Sequence, residues 1–288
     1  MFSFTKKRIR IVIALQAGKF EDGSDVVIID DLPMHVEIVK AGIPSFPEAT
    51  IRIGGLSLDK MKALSMLGFS ALQSYRNRVR IYAGDTEPDQ LPLIFVGEQS
   101  YGAAQIDESG NASFEMKAFT GIFAAQEASG PIAVSGSSPA ADVIGSLAQE
   151  AGFSFLNEGV NESVRDCVIR GDPMTKMRSV ADQVGANLII DDDNVILLPK
   201  GTPRRAGVVT ISAQTGMIGY PQLNSRGISV RCLFMPSLQF GQEVYVESVL
   251  PMATGSHRII KLSHTLDANQ NDGGQWETSF ESYFNFGL

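Results

Sequence analysis

The sequence predicts a mainly β protein in which two antiparallel β-barrels flank a small α/β domain. Three observations predict it. Period-two alternation of apolar and polar residues dominates positions 1–130 and 201–288. Helical periodicity with strong caps concentrates between 131 and 200. Gly, Pro, Asp and Asn interrupt the alternating runs at short intervals, as hairpin-connected sheets require. At 288 residues the chain is long enough for two or three domains without help from disulfides.

The first segment, 1–130, contains the alternating runs VVIIDD, MHVEIVKAG, ATIRIGGL, NRVRIYAG and ASFEMKAFTG. Its start, KKRIR followed by IVIALQAG, superficially resembles a signal peptide. Arg8 and Arg10 alternate with Ile9, Ile11 and Ile13, however, which predicts a first strand. One helix is expected near 57–67. Ser57 stands at its N-cap, Leu58, Met61, Leu64 and Leu67 recur at helical spacing for core packing, and Gly68 is the stop. The arm from Asp30 to Ala49 reads as a hairpin that could also reach a neighbouring chain.

In the second segment, 131–200, Ser135 to Ser138 read as a flexible joint. Ser138 followed by Pro139 reads as a helix start, because Ser accepts from an orphan amide and Pro has none to satisfy. Val143, Ile144, Leu147, Ala148 and Ala151 form the helix's apolar face, Gly152 ends it, and FSFLN is the next strand. The plan then repeats. CVIRG is a strand, Asp172 and Pro173 start a helix bearing Met174, Met177, Val180, Ala181 and Val184, Gly185 stops it, and NLIIDDDNVILLPKG is a hairpin. Two strand–helix–strand passes make a small α/β domain. Asp191, Asp192 and Asp193 suggest a metal at first sight, but an acidic tip between apolar strands is the pattern of a surface turn.

The third segment, 201–288, returns to strands: VVTIS, GISVRCLF, EVYVESVL, HRIIKLSHTL and QWETSFESYF. Between the last two, Asp267, Asn269, Asn271 and Asp272 resemble a calcium loop. An EF-hand needs Gly at its sixth position and Glu at its twelfth, where this chain has Asp272 and Thr278. The stretch is expected to be a solvated hairpin tip, with Trp276, Phe280 and Phe284 facing inward and Glu277 and Glu281 outward.

A net charge of −8 argues against a protein that grips nucleic acid, and no apolar run approaches the ~18 residues that would span a bilayer, so no stable membrane insertion is expected. Cys167 and Cys232 lie outside any CxxC and read as small buried residues in a reducing compartment. Of three histidines, His35 and His257 stand singly near strand starts. His264, sharing a face with Ile260, Leu262 and Leu266, reads as a satisfied, half-buried side chain. GxSxG, GxxxxGK[ST], HExxH and a GxGxxG after a strand do not occur. The sequence therefore points to no enzyme, and no catalytic, cofactor-binding or metal-ligating residues are assigned. The competing reading is a cell-wall or carbohydrate-binding module, or a cell-wall hydrolase, with Trp276 and Tyr283 as sugar-stacking groups.

Several turns in a fixed order carry a resemblance. They are T-G-M-I-G-Y-P at Thr215–Pro221, P-S-L-Q-F-G at Pro236–Gly241, G-S-H-R-I at Gly255–Ile259, and the closing W-E-T-S-F at Trp276–Phe280. Together with ADVIGSLAQEAGF, the DDD hairpin segment and IRIGGLSLDKMKALSMLG, they make the chain similar to the central baseplate hub family of tailed, especially contractile-tailed, bacteriophages. The resemblance implies two tail-tube-like barrels per subunit and a homotrimer whose six barrels form a pseudo-hexameric ring. Such a ring adapts the hexameric tail tube, or a tube-initiator protein, to a trimeric spike, among other baseplate proteins. It also implies residence in the virion tail baseplate, after assembly in the host cytoplasm. DNA would pass the channel without specific binding, which an acidic wall favours.

Overall fold

The structure, a computed structural model, describes residues 6–42, 45–65, 76–85, 90–106, 112–127, 129–224, 227–270 and 273–283. Leu67, Gly68, Asn271, Asp272, Phe284 and, within the Asp30–Ala49 arm, Ile43 and Pro44 lie outside the described residues.

The first segment forms β1 (Arg8–Ala14), β2 (Val26–Ile29), β3 (Met34–Ala41), β4 (Glu48–Gly54), helix α1 (Leu58–Leu64), β5 (Arg78–Gly84), β6 (Leu93–Ile106) and β7 (Ala112–Phe119). Alternation does what the sequence requires of it. Ile9, Ile11 and Ile13 of β1 point inward and are buried, while Arg8, Arg10 and Val12 point out. In α1, Met61 and Leu64 bury, but Leu58, expected in the core, is 64% exposed. Ser57 takes the N-cap conformation without a side-chain capping bond. The arm after Asp30 is the β3–β4 hairpin, paired within the sheet.

The middle segment forms β8 (Ile132–Pro139), α2 (Ala140–Glu150), β9 (Ser154–Asn157), β10 (Ser163–Ile169), α3 (Pro173–Gln183), β11 (Ala186–Asp191) and β12 (Asn194–Pro199). Here one expectation is corrected. Ser135 to Ser138 are not a joint but part of β8, and Pro139 rather than Ser138 occupies the N-cap position of α2. Pairing with β10 overrides weak local strand preference, and a bulge eases it: Gly136 at φ 73° donates its amide to the Asp166 carboxylate at 2.7 Å. The two passes are related in space as well as in sequence. β8 pairs with β10, β9 and β11 flank β12 on either side, and α2 packs on α3.

Asp172 caps α3 as expected, its carboxylate accepting from the Thr175 amide at 2.9 Å with Pro173 at the first turn. Asp172→Ala is expected to lower stability by about 1 kcal/mol, read from the denaturant midpoint. An unshifted midpoint would show that Pro173 and packing alone hold this end.

The last segment forms β13 (Arg204–Ile211), β14 (Gln222–Leu223), β15 (Gly227–Leu233), β16 (Gln242–Val246), β17 (Gly255–Ala268) and β18 (Trp276–Tyr283). Its strands join those of the first segment in one sheet of thirteen. The order is β14-β15-β18-β17-β3-β4-β7-β6-β5-β1-β2, with β13 attached through β16 and β16 through β17. β17 is the shared element. Its Gly255–Arg258 half pairs with β16, its Lys261–Ala268 half pairs with β3, and β18 runs along the other edge. A bulge near Ile259 reverses which residues point inward, so Ile259 rather than Ile260 is buried.

One apolar core gathers Ile11, Ile38, Ile51, Phe95 and Phe114 with Leu266 and Ala268 from β17. A second gathers Ile211, Val230, Val244, Ile259, Leu262 and Phe280. A third, between α2, α3 and the middle strands, holds Ile144, Leu147, Met177, Val180 and Val195. The protein is thus mainly β, with large antiparallel sheets and an α/β insert. No helix among the described residues is long and apolar enough to cross a membrane. Cys232 is buried and free, its thiol pushed up to about 12 by burial and by Glu277, whereas Cys167 is free and only half-buried.

Candidate functional site

The β11–β12 hairpin turns at Asp192 and Asp193, with Asp192 in the left-handed region at φ 54°. The turn stands where the sequence puts it, but its three aspartates are engaged rather than free in solvent, and the first of them is buried. The Asp191 side chain is 7% exposed and accepts from Lys40 Nζ at 2.7 Å and Arg204 Nη1 at 2.5 Å. Asp192 accepts from Lys40 Nζ and from the Val96 amide, both at 2.9 Å. Asp193 pairs with Arg78. Lys40 comes from β3, Val96 from β6, Arg78 from β5 and Arg204 from β13. One short turn therefore ties the α/β insert to strands of both β segments.

Three carboxylates meet three cations here, and the low-dielectric setting makes the balance strict. Burial disfavours the Lys40 ammonium, but Asp191 and Asp192 outweigh it and hold its pKa above the ordinary value. Burial likewise opposes the Asp191 charge, and Lys40 and Arg204 overcome it, leaving that carboxyl below its usual range. Asp192 goes the other way. Burial raises its pKa and the Asp191 charge adds to the rise, with Lys40 opposing. Glu98 on β6, which accepts from the Gly121 amide at 3.0 Å, is also raised, chiefly by burial. With these oxygens committed to cations and amides, the arrangement clamps elements together rather than activating a nucleophile. Among the described residues, no three His, Cys, Asp or Glu side chains group to hold a metal ion.

Beside this clamp lies a cleft of about 730 Å³, lined among others by Arg178 and Asp182 of α3, Phe240, Lys261 of β17, and Glu281 and Tyr283 of β18. Lys261 and Glu281, opposite each other on paired strands β17 and β18, form an ion pair on its wall at 3.2 Å.

The histidines are all engaged. His35, which stands singly in the sequence, bonds Asp267 at 2.8 Å and approaches Glu37 at 3.3 Å. His257 contacts the Ala253 carbonyl and the Ser282 hydroxyl, and His264 bonds the Thr278 hydroxyl at 2.9 Å. His264 is buried rather than half-buried, and burial, with Lys40 nearby, depresses its pKa to about 3. In the stretch that resembles a calcium loop, Asp267 accepts from the Gln275 amide at 2.7 Å as well as from His35, so its carboxylate is committed where β17 leads toward β18. Trp276 faces Phe234 edge-on at 5.2 Å with Lys7 over its ring at 5.8 Å, which leaves little of it for a sugar.

The order of strands, insert and strands now meets a comparison that decides the family: the model of the family described as baseplate hub gp41 matches residues 8–272. The chain belongs to the baseplate hub gp41 family. This hub-family chain also resembles solved tail proteins in fold. The 43 kDa tail protein of prophage MuSo2 from Shewanella oneidensis matches with a TM-score of 0.64 at 10% identity, over 95% of this chain and 96% of that one. The tail protein from Neisseria meningitidis MC58 matches with a TM-score of 0.62 at 10% identity, over the same shares of 95% and 96%. The E. coli c3393 protein is a type VI secretion system component described as similar to T4 tail proteins gp27 and gp5. It matches with a TM-score of 0.59 at 8% identity, over 94% of this chain and 76% of that one. No curated protein matches the hub-family chain.

The residues that sequence reasoning missed are the partners of the acidic turn: Lys40, Arg78, Arg204 and the Val96 amide. Only the run of three aspartates signalled the place.

Proposed function

We propose that this hub-family chain is the central hub subunit at the end of a phage tail, acting as a structural adaptor. Three copies form a ring in which each contributes two tube-like β modules. Six modules then face the hexameric tube or its initiator, and the threefold arrangement faces a trimeric spike. The observation that carries this reading is the pair of β cores wrapped by one sheet and joined through β17. A rigid pair of similar modules is what converts threefold symmetry into pseudo-sixfold symmetry. Membership of the baseplate hub family supports the same reading. In this role the ring resides in the virion baseplate after assembly in the host cytoplasm, contacts other baseplate proteins, and lets DNA pass without specific binding, a task that the acidic balance of the chain suits.

Native mass measurement of the 31.0 kDa chain is expected to give a trimer, alone or with tube and spike proteins added. A monomer at every concentration and in every mixture would reject the ring. The chain is expected to stay in solution in a pull-down on purified cell wall.

A further inference from the structure

The outer face of an antiparallel sheet that meets water is ordinarily polar. The outer face of β2, β1 and β5 instead mixes arginines with apolar side chains. It carries Arg8, Arg10 and Val12 on β1, Arg80 and Tyr82 on β5, and Ile28 on β2, the last 54% exposed. Arginine, tyrosine and aliphatic side chains are the composition of an interface core, and the carboxylates beside them, Asp30 and Asp31, gather at Arg8 and Arg10, where Asp30 pairs with Arg10 at 3.4 Å. The Arg80 side chain neither hydrogen-bonds nor ion-pairs to any described residue, whereas Arg8 lies near the Asp31 carboxylate. Arg78, one step along the same row of β5, is satisfied by Asp193 of the acidic turn. The face therefore binds a carboxylate where the fold delivers one, at Arg78 and at Arg10, and Arg80 has none.

A complementary face lies on the second β core. Tyr245 and Glu247 point outward from β16 and its extension, Val208 points outward from β13 beside them, and the following turn exposes Val249 and Met252, at 76% and 72%. Glu247 makes no side-chain hydrogen bond or ion pair among the described residues. Each face borders a strand with a single partner in the sheet, β2 with β1 and β13 with β16. Such strand edges are ready sites for association.

We propose that these two faces meet between copies: the Arg8–Arg80 face of one subunit docks on the Tyr245–Glu247 face of the next. The inference rests on the ring reading above and deepens it. A ring closed by rotation needs a head-to-tail contact between two different, complementary surfaces on each chain. Cation against carboxylate, with aliphatic and aromatic groups on both sides, supplies the complementarity. In a ring of six modules the contact falls between the first module of one copy and the second module of its neighbour.

The test is a charge exchange read by native mass measurement and sedimentation of the full chain, with far-UV circular dichroism confirming the fold. Arg80→Glu and Glu247→Lys are each expected to weaken trimer association by about ten-fold or more, and the two together to restore most of it. Should Arg80→Glu fail to fold, Arg80→Gln is expected to give a smaller weakening of the same sign. Single variants that trimerise like the native chain, or a double variant that restores nothing, would overturn this interface while leaving the ring standing. A native chain that is monomeric throughout would remove the ring itself, and the interface with it. A retention assay with duplex DNA covers the remaining source of anionic groups. If Arg80→Glu abolishes retention yet leaves the trimer intact, the face binds phosphate and the proposal is wrong.

Discussion

Asp191→Asn is expected to destabilise the protein by about 3–5 kcal/mol, because it leaves Arg204 charged, buried and without its carboxylate, and Lys40 with Asp192 alone. The Lys40 and Arg204 side chains are only 8% and 12% exposed, so water cannot replace the lost carboxylate. The loss is expected in the denaturant midpoint. Native-state hydrogen exchange should show it first at the β11–β12 tip and at the end of β3. Lys261→Ala, which breaks a half-exposed pair with Glu281, is expected to cost no more than about 1 kcal/mol. If the two variants proved equally mild, the acidic turn would be an ordinary surface feature after all.

Stability is also expected to fall as the solution is acidified below neutrality, with His264 as a main cause. Its folded pKa, about 3, lies below the 6.5 of a free imidazole, so the unfolded chain takes up a proton that the folded chain refuses. The contribution is complete above pH 6.5 and is lost progressively between 6.5 and 3, at about 1.4 kcal/mol per pH unit. Asp192 and Glu98 have raised pKa values and act in the opposite sense, favouring the folded state as they gain protons. Asp191, lowered, adds to the acid loss in the carboxylate range. His264→Gln isolates the imidazole. Its stability profile from pH 7 to pH 4 is expected to be clearly flatter than the native one, and parallel profiles would rule the histidine out as the cause.

Most strands were legible because alternation reports directly on which side chains meet a core. β1 is the plainest case, with Ile9, Ile11 and Ile13 buried and the arginines out. Features that depend on partners distant in sequence were not legible. Ser135 to Ser138 lack strand preference and become β8 only because β10 pairs with them. Leu58 has helical spacing to Met61 yet stands 64% exposed. The acidic turn was visible as chemistry and misread as to surroundings. Nothing within the hairpin announces that Lys40, 151 positions away, lies over it. Ile260 and Ile259 exchanged places through a bulge that hydrophobic pattern alone does not mark.

The sharing of β17 bears on how the chain comes to be made. Leu266 and Ala268 complete the core built by the first segment, and β3 finds its outer neighbour only in β17, as the bond between His35 and Asp267 across 232 positions illustrates. A ribosome delivers that strand long after β3, as the 232 positions between those two residues show. The first module must wait as an open sheet, with β3 unpaired on one side, until β17 has emerged. Pairings this distant are slow to form. They also couple the two cores, so that neither is expected to melt without the other, which would suit the proposed ring, where two modules hold a fixed spacing.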